Sequence, residues 1–198
     1  MSHGFMELFT IFFAALIINN IILMRFIGLC SFFGVSERLE PSIGMSLAVT
    51  FVMMMATTVT WALYHWVLAP YNLIFLRTLS FIVVIASLVQ FVELFMKKYT
   101  QGLYKALGIY LPLITTNCAI LAVTFFNIDL NYGLIPSLVY TLGVAGGYTV
   151  AIILFAGIRM RMALSPVPRF LQGYPITFFA AALMSLAFMG FSGLFGIH

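Results

Sequence analysis

Long apolar runs separated by short polar breaks recur along the whole chain. Six of them approach the roughly 20 residues needed to cross a hydrocarbon core of about 30 Å: Phe5 to Val35 with an interruption, Gly44 to Leu63, Leu73 to Phe95, Leu103 to Phe126, Ile135 to Gly157, and Tyr174 to Phe195. Backbone groups in lipid have to be satisfied within the segment, and runs of this length fit helices rather than the alternating strands of about ten residues in a membrane barrel. The connections are short. The pattern therefore predicts an all-α integral membrane protein, one membrane domain over 1–198 with six transmembrane helices and no soluble domain.

The first and fourth runs are the least regular. The first extends for about 30 residues and holds Asn19, Asn20, Arg25 and Gly28 in its middle; the fourth holds Gly108, Pro112, Thr115, Thr116 and Asn117. Proline inside a helix removes a hydrogen bond and crowds the preceding turn, while nearby polar groups re-satisfy the freed backbone. Both helices are expected to be discontinuous. Irregular backbone at membrane depth is tolerated where it is buried in protein or lines a cavity, so such breaks point to binding sites. Plainer readings stand beside this one: Pro112 as a simple kink, and Asn19, Asn20 and Asn117 as hydrogen-bonding contacts between helices.

Each break is followed by one of the two cysteines. Cys30-Ser31-Phe32-Phe33-Gly34-Val35 and Cys118-Ala119-Ile120-Leu121-Ala122-Val123 share the order cysteine, small, bulky, bulky, small, valine. Division near Thr100 leaves three runs on each side, repeat one over about 1–99 and repeat two over about 100–198. An odd number of crossings per half sends the second half into the membrane from the opposite side, so duplication implies a 3+3 inverted-topology repeat about an axis in the membrane plane. Two thiols near that axis have three readings: small buried hydrophobes, a disulfide if their Cα atoms come within about 7 Å, or metal ligands. Two thiolates fall short of the four that hold an iron–sulfur cluster, so the third reading needs a partner. Histidine offers little, since His3 and His198 are terminal and His65 falls in a predicted loop, Tyr64 to Asn72.

Composition agrees that lipid is the solvent: 64% of the residues are hydrophobic and 7% charged, against about 25% charged in soluble domains. The net charge of +4 is no nucleic-acid footprint, because its placement follows the membrane. Arg38 comes after the first run, Lys97, Lys98 and Lys105 after the third, and Arg159, Arg161 and Arg169 after the fifth. Cytoplasmic loops carry the excess of lysine and arginine, which puts both termini outside. Arg77, near the start of the third run, is expected to snorkel to the outer interface. No basic stretch precedes Phe5, so no cleaved signal peptide is expected.

Phe26-Ile27-Gly28-Leu29-Cys30, Leu111-Pro112-Leu113-Ile114-Thr115-Thr116-Asn117-Cys118-Ala119 and Ser185-Leu186-Ala187-Phe188-Met189-Gly190-Phe191-Ser192-Gly193 resemble the membrane subunits of the Rnf and Nqr family, over essentially the whole chain. The Thr115-to-Cys118 wording and Leu76-Arg77-Thr78-Leu79-Ser80-Phe81 lie closer to the Rnf ion-translocating electron-transport complexes than to the sodium-translocating NADH:quinone reductases. Neither cysteine departs from the family pattern. The resemblance implies six helices in an inverted repeat, paired with a homologous six-helix subunit of opposite orientation. It also implies a [2Fe-2S] cluster within the membrane between the two, with Cys30 and Cys118 as this chain's half of the ligands. Other subunits would carry flavins and iron–sulfur centres, in a ferredoxin- and NAD-linked translocase of the bacterial inner membrane with both termini of this chain periplasmic.

Four thiolates on a cluster are strongly anionic, so such a site should be buried between subunits and compensated by backbone N–H groups at half-helix ends. Arg25 either contributes to that compensation or snorkels away. Glu93 is the one carboxylate at plausible membrane depth and hence a candidate for the ion pathway; the competing reading is a helix-surface pair with Lys97, four residues on. Glu7, Glu37, Glu40 and Asp129 fall at interfaces or in loops. Gly143, Gly146 and Gly147 read as a helix-packing face. The sequence shows no nucleotide-binding glycine motif and no nucleophile–base pair, which leaves an electron-carrying subunit of a larger enzyme as the first reading. The alternatives are a small broken-helix transporter without a redox centre and a purely structural assembly component.

Overall fold

The computed structural model describes residues 4–70, 74–99, 113–114, 116–166, 168 and 172–194. Seven α-helices lie among them: α1 (Phe5–Phe13), α2 (Leu29–Val35), α3 (Leu39–Leu63), α4 (Arg77–Tyr99), α5 (Cys118–Asp129), α6 (Leu134–Ala163) and α7 (Tyr174–Leu194). No strand occurs among the described residues. Among the described residues, three stretches are long and apolar enough to cross a bilayer, Leu39–Leu68, Arg77–Leu94 and Leu134–Ala163; shorter apolar helices cover Met6–Ile18, Cys118–Asp129 and Tyr174–Gly190. Gly108, Pro112, Thr115, Lys105 and Arg169, together with His3 and His198, lie outside the described residues.

Two boundaries differ from the hydrophobic pattern. The segment expected as a loop from Tyr64 continues α3 through a π-helical turn, Tyr64–Leu68. His65 therefore stacks on Trp61 with ring centroids 4.5 Å apart. The apolar Trp66 to Ala69 carries the helix on, up to Pro70, which has no N–H with which to extend it. At the far end of α6, Arg159 and Arg161 belong to the helix itself rather than to the following loop.

α3 and α6 form the centre and run antiparallel. At one end the Trp61 indole N–H donates to the Tyr132 carbonyl at 3.2 Å; at the other Arg159 meets Glu37 at 3.4 Å. Met45, Val49, Val52, Met53 and Ala56 of α3 are buried with Val144, Ala145, Tyr148, Ala151, Ile152 and Phe155 of α6, and Ala119, Ile120 and Val123 of α5 join the same core. Phe32 of α2 stacks on Phe155 at 4.2 Å. The glycine face of α6 lets α1 and its continuation approach: a Cβ on Gly143 would lie 2.7 Å from the Phe12 carbonyl, and one on Gly147 2.7 Å from that of Leu16. Large apolar side chains such as Leu47, Phe51, Leu79, Val83 and Phe179 point outward, as lipid-facing or partner-facing surfaces require. One order of elements occurs twice: a half-helix (α2, α5), a 30-residue helix (Leu39–Leu68, Leu134–Ala163) and a third apolar helix (α4, α7).

Candidate functional site: two thiols between broken helices

The first helix breaks because its backbone is diverted at Asn20. After the π-helical turn Ala14–Ile18, the buried Asn20 side chain accepts from the N–H groups of Ile22 (3.1 Å) and Leu23 (3.4 Å) and donates to the Gly147 carbonyl at 2.8 Å. Ser185 of α7 donates to the Leu23 carbonyl at 2.6 Å. The unwound polar groups thus find partners within protein, the condition for irregular backbone at membrane depth. The break closes with two left-handed residues, Phe26 at φ 55° and Gly28 at φ 93°. A Cβ on Gly28 would also sit 3.3 Å from that of Ala119. Glycine is required there both for the conformation and for the close approach of α5.

The second half-helix starts at Cys118 itself. Asn117 caps it, its side-chain oxygen accepting from the Ala119 N–H at 3.0 Å. Cys30, in the first turn of α2, lies within interaction reach of Cys118. Both thiols are free and both are exposed. No disulfide joins them. The Gly28 N–H donates to the Cys118 sulfur at 3.0 Å, so the first break delivers a donor to the cysteine of the second.

Depth follows from helix lengths. α2 has 7 residues and leads from Cys30 to the Arg159 end, where Arg159 donates to the Phe33 carbonyl (2.8 Å) and the Ser36 hydroxyl (2.9 Å). α5 has 12 residues and leads the opposite way, to Asp129, which pairs with Arg77 at 2.7 Å. At 1.5 Å per residue these are about 10 Å and 18 Å. Together they span about the thickness of a hydrocarbon core, with the thiols well inside it.

Behind the thiols lies a buried hydroxyl cluster that sequence reading missed. Tyr148 of α6 donates to Ser31 Oγ at 2.7 Å, and Ser31 donates to the Gly28 carbonyl at 2.9 Å. The Asn117 amide N–H₂ approaches both hydroxyls at 3.5 Å. The available signals were a tyrosine directly after Gly147 and a serine directly after Cys30.

The remaining candidates separate from the thiols. Arg25 is exposed and its guanidinium lies over the Phe126 ring at 4.3 Å; this cation–π contact places it two turns along α5 from Cys118. Arg77 reaches Asp129 at 2.7 Å at the end of α5 and lies over Phe125 at 4.7 Å. Glu93, half-buried on α4, accepts from Gln90 at 3.4 Å. It borders a small cavity otherwise lined by Ala48, Phe51, Val52, Val89, Val92 and Ile114.

These features define a class: an all-helical membrane protein among the described residues, in which the break after Asn20 and the start of α5 bring a pair of thiols together. The family model described as "Rnf-Nqr subunit, membrane protein" matches residues 8–195, and the chain belongs to that family. It is 51% identical over 188 residues to the A-type subunit of the ion-translocating oxidoreductase complex of Syntrophotalea carbinolica, covering 95% of this chain and 97% of the relative. It is 49% identical over 189 residues to the A-type subunit of the Na(+)-translocating ferredoxin:NAD(+) oxidoreductase complex of Acetobacterium woodii, covering 96% and 98%. The corresponding protein of the Azoarcus sp. ion-translocating oxidoreductase complex is 51% identical over 178 residues, 90% of this chain and 92% of that one.

Proposed function

We propose that the chain is the A-type membrane subunit of an ion-translocating, ferredoxin- and NAD-linked oxidoreductase complex, in which Cys30 and Cys118 hold half of a [2Fe-2S] cluster. The observation that carries this reading is the meeting of two free, exposed thiols at membrane depth, one already receiving a backbone N–H. Such a pair fits half of a four-thiolate donor set. The described residues contain no group of three or more metal-ligating side chains, so the other two ligands would come from a homologous six-helix subunit of opposite orientation. That partner would also cover the exposed thiols, since an anionic centre in lipid requires burial in protein.

When bound, the cluster supplies a one-electron relay between cofactors that other subunits carry on the two sides of the membrane. The chain's own residues orient the two thiols, donate an N–H to one sulfur and exclude water behind them. The antiparallel run of α3 and α6 and the opposite directions of α2 and α5 support a 3+3 inverted repeat. Segregation of Arg38, Lys97, Lys98, Arg159 and Arg161 from the Asp129 end supports an inner-membrane orientation with periplasmic termini. Glu93, bordering an apolar cavity, is the candidate for the ion pathway.

Iron and acid-labile sulfide analysis of the purified complex tests ligation, with Cys30→Ala and Cys118→Ala as variants. Loss of the cluster signal and of electron transfer, with flavins and the other centres still loaded, is the expected result. Unchanged iron and full activity in either variant would remove that cysteine from the site. Transport by the isolated chain in liposomes, without a redox reaction, would favour a plain transporter.

A further inference from the structure

The hydrogen-bond chain behind the thiols ends on the residue that donates to one of them. Tyr148 donates to Ser31 (2.7 Å), Ser31 to the Gly28 carbonyl (2.9 Å), and the Gly28 N–H to the Cys118 sulfur (3.0 Å). All the members behind the sulfur are enclosed: Tyr148 and Ser31 are 0% exposed and Asn117 3%. Gly28 is the pivot. Its left-handed φ of 93° relates the two peptide planes on either side of it; the Ser31 hydroxyl and the Phe32 N–H together hold one plane through the carbonyl at 2.9 and 3.1 Å, and the other carries the N–H that reaches Cys118. Asn117 ties the same hydroxyls to the cap of α5, where Cys118 begins.

We infer that Tyr148, acting through Ser31 and Gly28, is a positioning residue that sets the reduction potential of the redox group held by Cys118. The role rests on the ligation reading above. Hydrogen bonds to cluster sulfurs raise the potential by stabilising the more negative, reduced form, and partners one layer out govern how well those bonds are aimed. A merely structural tyrosine would fasten α6 to α2 and leave the potential alone. In this arrangement the hydroxyl instead terminates a three-bond path to a ligand sulfur. Tyr148→Phe keeps the ring, its packing and its volume, and removes only the first donor of that path. Ser31 loses its donor, its hold on the Gly28 carbonyl slackens beside the remaining Phe32 N–H bond, the aim of the Gly28 N–H at the sulfur loosens, and the potential falls.

The test is redox titration of the purified complex, followed by electron paramagnetic resonance, for the wild type, Tyr148→Phe, Ser31→Ala and the double variant, with Thr57→Val as a buried-hydroxyl control away from the chain. Iron content should stay at the wild-type level in all of them. Tyr148→Phe and Ser31→Ala should each lower the reduced-to-oxidised ratio at fixed applied potential by roughly three- to tenfold, up to about 59 mV for a one-electron couple. The double variant should add little beyond either single, because both cut one path, and Thr57→Val should leave the signal unchanged. Unchanged potential and spectrum in cluster-bearing Tyr148→Phe and Ser31→Ala would overturn the role of Tyr148 while leaving ligation intact. A wild-type complex whose iron is indifferent to removal of Cys30 and Cys118 would overturn the ligation reading itself, and this role with it. Should Tyr148→Phe fail to assemble, Ser31→Ala probes the same path from its other end, and its unchanged potential is equally fatal.

Discussion

Gly28 concentrates several demands on one residue. It adopts φ 93°, lets Ala119 approach, and donates to Cys118. An alanine in the left-handed region costs about 1–2 kcal/mol, and its Cβ, 3.3 Å from that of Ala119, would push the start of α5 away from α2. Gly28→Ala is therefore expected to assemble with reduced stability and to lose iron relative to the wild type, measured as iron per complex alongside thermal unfolding in detergent. Normal iron content would mean that the two half-helix starts need not be held at this spacing. The cysteines and the break before each were legible in the sequence because unlike residues interrupt otherwise uniform apolar runs. Ser31 and Tyr148 were not, because a serine and a tyrosine in a membrane helix usually bond within their own helix or to a neighbour. Only the fold shows that the two lie 2.7 Å apart across 117 positions.

At the scale of helices, the glycines of α6 determine where the broken first helix sits. Gly143 and Gly147 meet backbone carbonyls of that helix, and a side chain at either would displace it; a Cβ added at Gly157 would meet nothing within 4 Å. Gly147→Ala should destabilise the protein by about 1–3 kcal/mol, the usual range for overpacking, whereas Gly157→Ala should be neutral or slightly stabilising, since alanine is the better helix former by up to about 1 kcal/mol. Thermal unfolding of both variants in the same detergent separates the two cases. Equal responses would show that α6 approaches α1 without needing glycine. Small residues three and four apart announce such a face in the sequence. The continuation of α3 past Leu63 was not announced, because His65 reads as polar while its ring is in fact stacked on Trp61 one turn back.

α4 raises a separate question at this scale, because its single carboxylate within the apolar stretch, the half-buried Glu93, borders a small apolar cavity. Glu93→Gln keeps the shape and removes the charge. Pumping per electron in proteoliposomes across a range of cation concentrations should fall or shift for Glu93→Gln while Lys97→Gln stays near normal, with the cluster present in both. A surface pair on a helix contributes only about 0.2–0.5 kcal/mol, so near-normal pumping in both variants would return Glu93 to that role.

For the molecule as a whole, the two ends differ in charge. Arg38, Lys97, Lys98, Arg159 and Arg161 belong to the end where Arg159 pairs with Glu37. The opposite end carries Arg77 and Arg25; Asp129 neutralises Arg77 at 2.7 Å and Arg25 lies over the Phe126 ring, so the excess of positive charge stays at the Arg159 end. Lysine and arginine counts make the orientation legible from the sequence, because they need only the place of each charge relative to the ends of the apolar runs. The antiparallel run of α3 and α6 agrees with the alternating crossings expected from the sequence, while the contacts that fix it, such as Trp61 to Tyr132, join distant positions that no local pattern pairs. The excess of positive charge should face the cytoplasm, and a chain with α1 entering from the Asp129 end then starts outside. Reporter fusions at the amino terminus and after His198 should both behave as external in cells that assemble the complex, while one inserted after Arg161 should behave as cytoplasmic. A cytoplasmic reading at both termini with the complex intact would reverse the orientation. One terminus on each side would require an odd number of crossings and would end the case for two inverted halves.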